Sequence, residues 1–372
     1  MIRLDDGPGG RPAVFDRPKR LIRADSVAEV APALDKLDEA LRAGDWVAGF
    51  MSYEAGYALE ERLAPLMPAD RRMPLVLFAV CDAPRPPRPE DAGEGPVALS
   101  PPRPLLDAAT HGAAVERALE YIRAGDCYQV NLTFPLDAEY EGDPRALQAA
   151  LARVQPVGHG ALVDLPDAPC IASLSPELFF RTDPQGRIAT HPMKGTRPRH
   201  DDPARDARLR QELRDSIKDR AENLMIVDLM RNDLSRFSKV GSVRVPGLFE
   251  VETYATVHQM VSRVTGELRA GTGLADIMRA LFPCGSITGA PKIRAMEIIV
   301  ELEHAARDVY CGSIGWAAPD GASSFNVAIR TLTLFDDGRA RLNAGGGIVA
   351  DSTPEDEYQE ALWKARFARL VP

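Results

Sequence analysis

Long hydrophobic runs are missing from the 372-residue sequence, and none approaches the roughly 18 apolar residues that a transmembrane helix requires. The N-terminal stretch MIRLDDGPGG also lacks the basic and apolar pattern of a signal peptide. Cysteine is scarce: its five residues are odd in number and scattered, which indicates neither a disulfide framework nor a CxxC metal site. We therefore expect a cytoplasmic protein with reduced thiols.

An excess of positive charge is missing too, because 45 Lys and Arg residues stand against 54 Asp and Glu residues. This balance disfavours nucleic acids and anionic membranes as partners. Nucleotide-binding glycine motifs are also absent: Gly345, Gly346 and Gly347 follow a predicted strand, but no GxGxxG opens a helix and no GxxxxGK[ST] occurs. Small molecules or other proteins are the expected partners.

What the sequence does contain is typical of a folded protein, with 45% hydrophobic and 27% charged residues. Predicted strands arrive in runs with helices between them, which favours an α+β fold with antiparallel sheets over a doubly wound fold.

Eight prolines between residues 84 and 104 predict a stiff connector. We therefore divide the chain into a small N-terminal region (1–83), a connector (84–106) and a long C-terminal region (107–372).

Apolar spacing predicts the helices of the C-terminal region. A period of 3.6 over residues 112–124 indicates an amphipathic helix, and residues 203–236 predict one long helix or two consecutive ones. The last helix has a start signal in which Ser352 caps, Pro354 occupies the first turn and Glu355 completes a capping box.

Alternating patterns rich in Val and Thr predict the strands. One strand pattern lies near residues 128–134, and residues 241–268 alternate throughout. Three further predicted strands, at 312–318, 324–335 and 339–349, are separated by Asp-Gly turn signals. Their simplest pairing is an antiparallel meander.

Two acidic pairs share an i, i+3 spacing on predicted helices: Asp219 with Glu222, and Glu357 with Glu360. Each pair presents two carboxylates on one helix face, and two such helices meeting would supply oxygen ligands to a divalent cation such as Mg²⁺. A solvated helix face is the alternative. The apolar segments that follow Glu222 and Glu360 favour the metal site, because a carboxylate drawn toward a core needs a partner.

Two basic side chains are further candidates. Lys194 lies at a predicted strand end before Gly195, where a partly desolvated amine would be a nucleophile; a surface lysine is the alternative. His258 lies in an alternating strand, where a hydrogen-bonded packing residue is the alternative to a catalyst.

Carboxylate recognition has two candidate places. In residues 285–299, Thr288, Lys292 and the amides at a helix start would receive a carboxylate, unless this segment is only a capping turn. Arg330 would clamp a second carboxylate, unless it is an ordinary edge-strand arginine.

Eight segments, in order, resemble those of the chorismate-utilising enzymes. They are YIRAGDCYQVNLT (121–133), SPELFF (175–180), HPMKGTRPR (191–199), DRAENLMIVDLMRNDLSR (219–236), LFPCGSITGAPKIRAMEII (281–299), YCGSIGW (310–316), FNVAIRTL (325–332) and NAGGGIVADSTPEDEYQE (343–360). The resemblance implies that 107–372 is a chorismate-binding catalytic domain, built as a sandwich of antiparallel sheets with flanking helices.

The resemblance also implies roles for the candidate residues. Glu222 and Glu360 match the direct Mg²⁺ ligands of the family, with Asp219 and Glu357 as outer carboxylates. Glu177 matches the general acid that protonates the hydroxyl leaving ring carbon 4 of chorismate. The matched substrate-contacting positions are Tyr310 and Arg330 for the enolpyruvyl carboxylate, Gly345 and Gly347 through their backbone, and Thr196, His258, Thr288 and Lys292 along the pocket.

Two positions imply the branch of the family. Members that add water carry a lysine where this chain has Gln129, so an amine-transferring member is implied. Lys194 stands where anthranilate-forming members usually have alanine, which favours the aminodeoxychorismate-forming branch, with Lys194 as nucleophile on ring carbon 2. The alternatives are the anthranilate-forming branch and a non-catalytic paralogue that binds chorismate as a regulatory subunit.

The resemblance implies partners as well. No cysteine lies in a glycine-flanked nucleophile elbow, so ammonia is expected from a separate glutamine amidotransferase subunit or from solution. We also expect a separate aminodeoxychorismate lyase to act on the product, on the way to 4-aminobenzoate and folate. The N-terminal region matches the family less closely, although FMSYEAGYALE (50–60) resembles a segment found in aminodeoxychorismate-forming members.

Overall fold

The protein is described by a computed structural model that covers residues 1–254 and 257–370. The strands are β1 Ile2–Leu4, β2 Ala13–Phe15, β3 Arg20–Ala24, β4 Trp46–Met51, β5 Val76–Cys81, β6 Ala98–Leu99, β7 Arg103–Pro104, β8 Gln129–Glu141, β9 His159–Val163, β10 Cys170–Ser175, β11 Leu178–Thr182, β12 Arg187–Thr190, β13 Met193–Pro198, β14 Arg244–Thr253, β15 Val257–Glu267, β16 Gly289–Ala290, β17 Ser313–Ala317, β18 Ser323–Asn326, β19 Thr331–Leu334 and β20 Arg339–Ile348. The helices are α1 Val27–Arg42, α2 Ala55–Ala58, α3 Ala108–Ala124, α4 Pro144–Val154, α5 Pro203–Asp215, α6 Ile217–Ser235, α7 Leu274–Leu281, α8 Lys292–Leu302 and α9 Pro354–Lys364.

The strands form two antiparallel sheets. The first sheet runs β16-β8-β20-β19-β10-β9-β1-β2, and β6 and β7 also pair with β8. The second runs β13-β15-β12-β11-β18-β17-β4-β5-β3, and β14 also pairs with β15. The predicted α+β class with antiparallel sheets is confirmed.

The sheets pack face to face, which confirms the predicted sandwich. Phe15 and Ile171 of the first sheet share a buried cluster with Phe50 and Trp316 of the second. Burial of each such side chain contributes about 1.5–3 kcal/mol to the free energy of folding. Helices cover the sheets: α4, α8 and α9 pack against the first sheet, and α1 and α6 pack against the second.

The N-terminal residues are part of both sheets. Strand β1 pairs with β9 in the first sheet, and β4 pairs with β17 in the second. Residues 1–83 thus lie within the sandwich, and the three-part division of the chain stays a prediction. Residues 371–372, at the end of the predicted C-terminal region, lie outside the described residues. No helix in the described part of the chain is long and apolar enough to cross a bilayer.

The predicted helices are confirmed, with one error in a cap. Residues 112–124 fall within α3, and 203–236 forms two helices, of which the second is capped by Ser216 through Asp219 N. The cap of α9 is Thr353, whose hydroxyl accepts from Asp356 N. The prediction of Ser352 as the cap is wrong, because its hydroxyl is held by Glu357 instead.

The strands at 241–268 are confirmed as the hairpin of β14 and β15, with residues 255–256 outside the described residues. The predicted meander of three strands is wrong. Residues 324–335 divide into β18, in the second sheet, and β19, in the first. The chain crosses from the second sheet to the first between these strands, and Arg330, directly before β19, has a left-handed φ of 50° at the crossing.

Candidate active site

Two connections between the sheets bring Glu177 and Arg330 near each other. Glu177 lies between β10 and β11, where the chain passes from the first sheet to the second, and Arg330 lies on the return between β18 and β19. Backbone bonds hold both: Val327 N donates to the Glu177 carbonyl at 3.0 Å, and Leu174 N donates to the Arg330 carbonyl at 2.9 Å. The left-handed backbone of Arg330 costs about 1 kcal/mol or more, which the surrounding bonds offset.

Glu177 is a buried carboxyl group, 5% exposed. Its Oε1 accepts a hydrogen bond from Ser286 Oγ at 2.7 Å. Burial raises the pKa of Glu177 to about 7, although Ser286, Lys194 and Arg330 act in the opposite direction. A carboxyl group with such a pKa carries a proton at neutral pH far more often than an exposed one.

Lys194, the second residue of β13, reaches the glycine run of β20. A Cβ at Gly347 would lie 3.3 Å from Lys194 Nζ and 2.8 Å from Gln129 Nε2, so only glycine leaves room for both side chains. Burial lowers the pKa of Lys194, and Lys364 adds to this effect, while Glu222, Glu177 and Glu360 favour the charged form. The amine is therefore closer to its neutral, nucleophilic form than an exposed lysine.

Gln129 is fully buried, yet neither atom of its side-chain amide has a hydrogen-bond partner within the described residues. A buried amide without partners costs about 1–3 kcal/mol. The amide lies against Gly347, as Lys194 Nζ does, so its unpartnered donor and acceptor are next to Lys194. The space is therefore suited to a polar ligand.

The four predicted metal ligands lie on α6 and α9. Glu357 Oε2 lies against Gly346, where a Cβ would be 2.7 Å away, and Asp219 lies in the same manner against Gly195. Burial raises the pKa of Glu222 and of Glu357, and Lys218 lowers both. Lys218 acts on carboxylates of both helices and pairs with Asp351, just before α9, at 3.1 Å, so the two acidic pairs lie in the same region of the fold.

Basic groups already engage some of these carboxylates. Lys364 Nζ lies 2.7 Å from Glu360 Oε1 and donates to the Gly345 carbonyl at 2.9 Å. Arg197 donates to Asp219 Oδ2 at 2.9 Å. Although partial burial acts to raise it, the pKa of Glu360 is lowered because Lys364, Lys194 and Lys218 stabilise the carboxylate.

The donor chemistry fits a hard divalent cation, since all four side chains offer carboxylate oxygens. In residues 1–254 and 257–370, however, no three metal-ligating side chains stand together as a ready site. Lys364 and Arg197 pair instead with Glu360 and Asp219. Cation binding would therefore require Glu360 to exchange Lys364 for the metal.

A protein-family comparison decides what kind of site this is. The model of the chorismate-binding enzyme family matches residues 85–369, which is most of the chain. The chain belongs to the chorismate-binding enzyme family. The resemblance found in the eight sequence segments is thereby confirmed.

Relatives within the chorismate-binding family include both branches considered from the sequence. Aminodeoxychorismate synthase component 1 of Klebsiella aerogenes is 50% identical over 70% of this chain and 57% of its own length. Anthranilate synthase component 1 of Streptomyces coelicolor is 43% identical over 70% of this chain and 51% of its own length. The matched region thus spans little more than half of these relatives.

Among solved structures, anthranilate synthase component I of Streptococcus pneumoniae superposes with a TM-score of 0.81. Its sequence identity is 27%, and the match covers 96% of this chain and 92% of that one. The sandwich described above is therefore the fold of the chorismate-binding family.

Tyr310 and Thr288 were also predicted from the family pattern. Tyr310 follows a turn closed by its own N–H to the Arg307 carbonyl, and burial raises its pKa well above the usual value. Thr288 is buried, and its hydroxyl donates to the Cys284 carbonyl at 2.8 Å. Thr288 thus stabilises the turn that carries Ser286.

Three predicted pocket residues of this chorismate-binding enzyme are engaged with other protein groups. His258 contacts Asp206 and Thr253 through its two ring nitrogens, at 2.9 and 3.0 Å. Lys292 donates to Asp233 and to the Leu281 carbonyl, both at 2.7 Å. Thr196 donates to Gln259 at 2.8 Å. Their contact with substrate stays a prediction.

Sequence reasoning missed Ser286 and Lys364. Ser286 lies in the run GSITGAPK, from which Thr288 and Lys292 were selected, and no local pattern distinguishes the two hydroxyls. Lys364 stands four residues after Glu360 on α9, a spacing that does predict an ion pair.

A groove elsewhere on the surface does not coincide with this site. It has a volume of about 480 Å³ and lies between α5 and β14, lined by Arg210, Arg214 and Leu248 among others. Lys194 and Glu177, whose pKa values are shifted by burial, are the candidates for the active site.

Proposed function

We propose that this chain converts chorismate and ammonia to 4-amino-4-deoxychorismate, with Lys194 as nucleophile and Glu177 as general acid. The observation that carries the proposal is the partly buried amine of Lys194 beside Gly347, close enough to the protonatable carboxyl of Glu177 for each group to shift the other's pKa. The name of the 50% identical relative supports the same activity.

Lys194 Nζ attacks ring carbon 2 with its lone pair while both ring double bonds shift by one position and the hydroxyl leaves carbon 4. Glu177 gives that hydroxyl its proton, so water departs and the carboxylate is left. Ammonia then adds at carbon 4, both double bonds return, and Lys194 leaves carbon 2 with its electron pair as the amine. The Glu177 carboxylate takes back a proton from the added nitrogen. The enolpyruvyl group stays intact, and its carboxylate is received by Arg330 and Tyr310 in this proposal.

Opposite titrations govern the first step. Lys194 must be neutral to attack. Because its pKa is lowered, a larger fraction of its amine is neutral near pH 7 than in an exposed lysine. Glu177 must be protonated, which a pKa of about 7 permits up to neutral pH. The rate should thus rise as Lys194 loses its proton and fall as Glu177 loses its own.

We propose Mg²⁺ as the cofactor, held by Glu222 and Glu360 with Asp219 and Glu357 as outer carboxylates. When bound, Mg²⁺ would neutralise and polarise the ring carboxylate of chorismate. The carboxylate donor set of α6 and α9 supports this assignment, since hard cations prefer oxygen ligands. In this proposal Lys364 and Lys218 balance the acidic charge when no metal is bound.

We also propose that a glutamine amidotransferase subunit supplies the ammonia in the cytoplasm. The designation "component 1" of the Klebsiella relative supports a partner component. A separate lyase would release 4-aminobenzoate from the product, toward folate.

A product assay tests this function. The purified chain is incubated with chorismate, Mg²⁺ and ammonium, with and without an added aminodeoxychorismate lyase. The expected result is 4-aminobenzoate only when the lyase is present. Formation of fluorescent anthranilate without lyase would show instead that the chain is an anthranilate synthase, the activity that the 43% identical relative's name carries. Chorismate binding without turnover would favour the regulatory alternative.

A further inference from the structure

The general acid is connected to a second buried group. Ser286 is 4% exposed and lies in the short 3-10 turn Gly285–Ile287, opposite Glu177. Its hydroxyl donates to Glu177 Oε1 at 2.7 Å, and Cys284 Sγ lies 3.2 Å from the same hydroxyl oxygen. The three side chains thus form a chain of hydrogen bonds that ends on the carboxyl group.

The available donors determine which group donates in each of these hydrogen bonds. A serine hydroxyl has one proton, and a carboxylate oxygen is a much better acceptor than a thiol sulfur. Burial raises the pKa of Cys284 to about 12, so its S–H is intact at neutral pH and can donate to Ser286 Oγ. The serine proton therefore points to Glu177, and Oε1 is used as an acceptor.

We infer that Ser286 is a positioning residue for the general acid: by donating to Oε1, it confines the acidic proton of Glu177 to Oε2, the oxygen left for the leaving hydroxyl. The inference rests on the proposed role of Glu177. It assigns to Ser286 no contact with substrate. It explains why the turn is fixed by Thr288, whose hydroxyl donates to the Cys284 carbonyl.

The charged groups that act on Glu177 are Lys194 of β13 and Arg330 of the connection between β18 and β19. Both are unaffected by removal of the serine hydroxyl. In Ser286→Ala the carboxylate form of Glu177 loses a donor, so the pKa of Glu177 should rise. The proton would also be free to sit on either oxygen, and only one placement is productive.

The test compares Ser286→Ala with Ser286→Thr, which keeps a hydroxyl at the same position. The pH dependence of kcat/KM is measured for each, together with the carboxyl infrared band of Glu177, for which Glu177→Gln provides the blank. In Ser286→Ala, we expect the high-pH limb and the infrared titration to move upward by about one pH unit and kcat to fall about tenfold or more. Ser286→Thr should restore both.

An alanine variant whose carboxyl band titrates at the wild-type pH overturns the inference, whether or not the rate falls, because a rate loss alone would indicate only a packing role. The infrared titration requires no turnover. It therefore separates this inference from the proposed function, whose failure would show in the identity of the product. The Cys284→Ala variant, which leaves the serine bond in place, should show a smaller shift than Ser286→Ala.

Discussion

Two clusters in this protein each combine basic and acidic side chains, but one stabilises the fold and the other is the candidate active site. Arg307, 3% exposed, donates to both oxygens of Glu303 and to the carbonyls of Asn131 and Ile287, and its guanidinium lies 4.4 Å from the centre of the Tyr53 ring. Glu303 also accepts from Thr133 N at 2.7 Å. Each of the three guanidinium nitrogens of Arg307 thus donates to a protein acceptor.

The cluster of Lys194, Glu177 and Gln129 is also buried but is left incomplete. The Gln129 amide has no partner in the described residues, and Glu177 has a single side-chain donor. The pKa of Arg307 is raised far above its usual value, although burial acts against this, whereas burial lowers the pKa of Lys194. Arg307 and Glu303, which pair with each other, thus stabilise the fold, whereas the unpartnered amide of Gln129 and the shifted pKa values of Lys194 and Glu177 prepare the second cluster for a ligand.

The largest effect is expected at the incomplete cluster. Lys194→Ala should lower formation of aminodeoxychorismate by about a thousandfold, or roughly 4 kcal/mol in activation free energy, because the covalent step is lost. Chorismate should still bind, and the space beside ring carbon 2 would admit free ammonia, giving some anthranilate-like product. Chromatography of the products, with calorimetry of chorismate binding, measures both.

The control for this change is Lys239→Ala, which removes an exposed lysine paired with Glu267. It should keep wild-type activity. Full activity of Lys194→Ala would contradict the nucleophile assignment, and with it the preference for aminodeoxychorismate over anthranilate.

Loss of the Arg307–Glu303 pair should lower the free energy of unfolding. Arg307→Met leaves Glu303 buried without its partner, so the free energy of unfolding should fall by about 3–5 kcal/mol. Urea denaturation measures the change. Arg339→Met, which breaks an exposed pair with Asp337, should change it by less than about 1 kcal/mol. Equal effects of the two variants would erase the distinction between the clusters.

Glu177 should make the protein less stable at high pH. Its pKa is about 7 in the folded chain and ordinarily 4.5, so the folded state binds more protons between these values and stability falls as pH rises through them. Glu177→Gln should thus be more stable than wild type by about 2–3 kcal/mol at pH 8.5 and equal to it near pH 4.5. Urea denaturation at both pH values measures this, with exposed Glu267→Gln as the control. A constant difference between the two pH values would contradict the assignment.

The smallest effect concerns the metal. Lys364→Met removes the cation that lies 2.7 Å from Glu360, so Mg²⁺ should bind about fivefold more tightly at low salt. Calorimetry without chorismate measures this affinity independently of turnover. Lys239→Met, far from the acidic pairs in sequence and paired with Glu267, should leave it unchanged. Unchanged or weaker binding in Lys364→Met would show that this lysine does not compete with the metal.

Much of the fold was predictable because it depends on local periodicity. The apolar spacing of 112–124 predicted most of α3, and the alternation of 241–268 predicted strand structure where β14 and β15 form. The meander at 312–349 failed because alternation gives the presence of a strand and says nothing of which sheet it joins. A single left-handed residue, Arg330, transfers the chain from one sheet to the other.

The candidate site divides in the same way. Residue type and order alone pointed to Lys194, Glu177, the two acidic pairs and the family to which the chain belongs, because these depend on chemistry carried by short motifs. Only the tertiary structure decided that Ser286 faces Glu177, that Lys364 holds Glu360, and that the Gln129 amide has no partner in the described residues. The physical reason is that burial and pairing are set by segments distant in sequence, and these determine which of many polar side chains is left to bind a ligand.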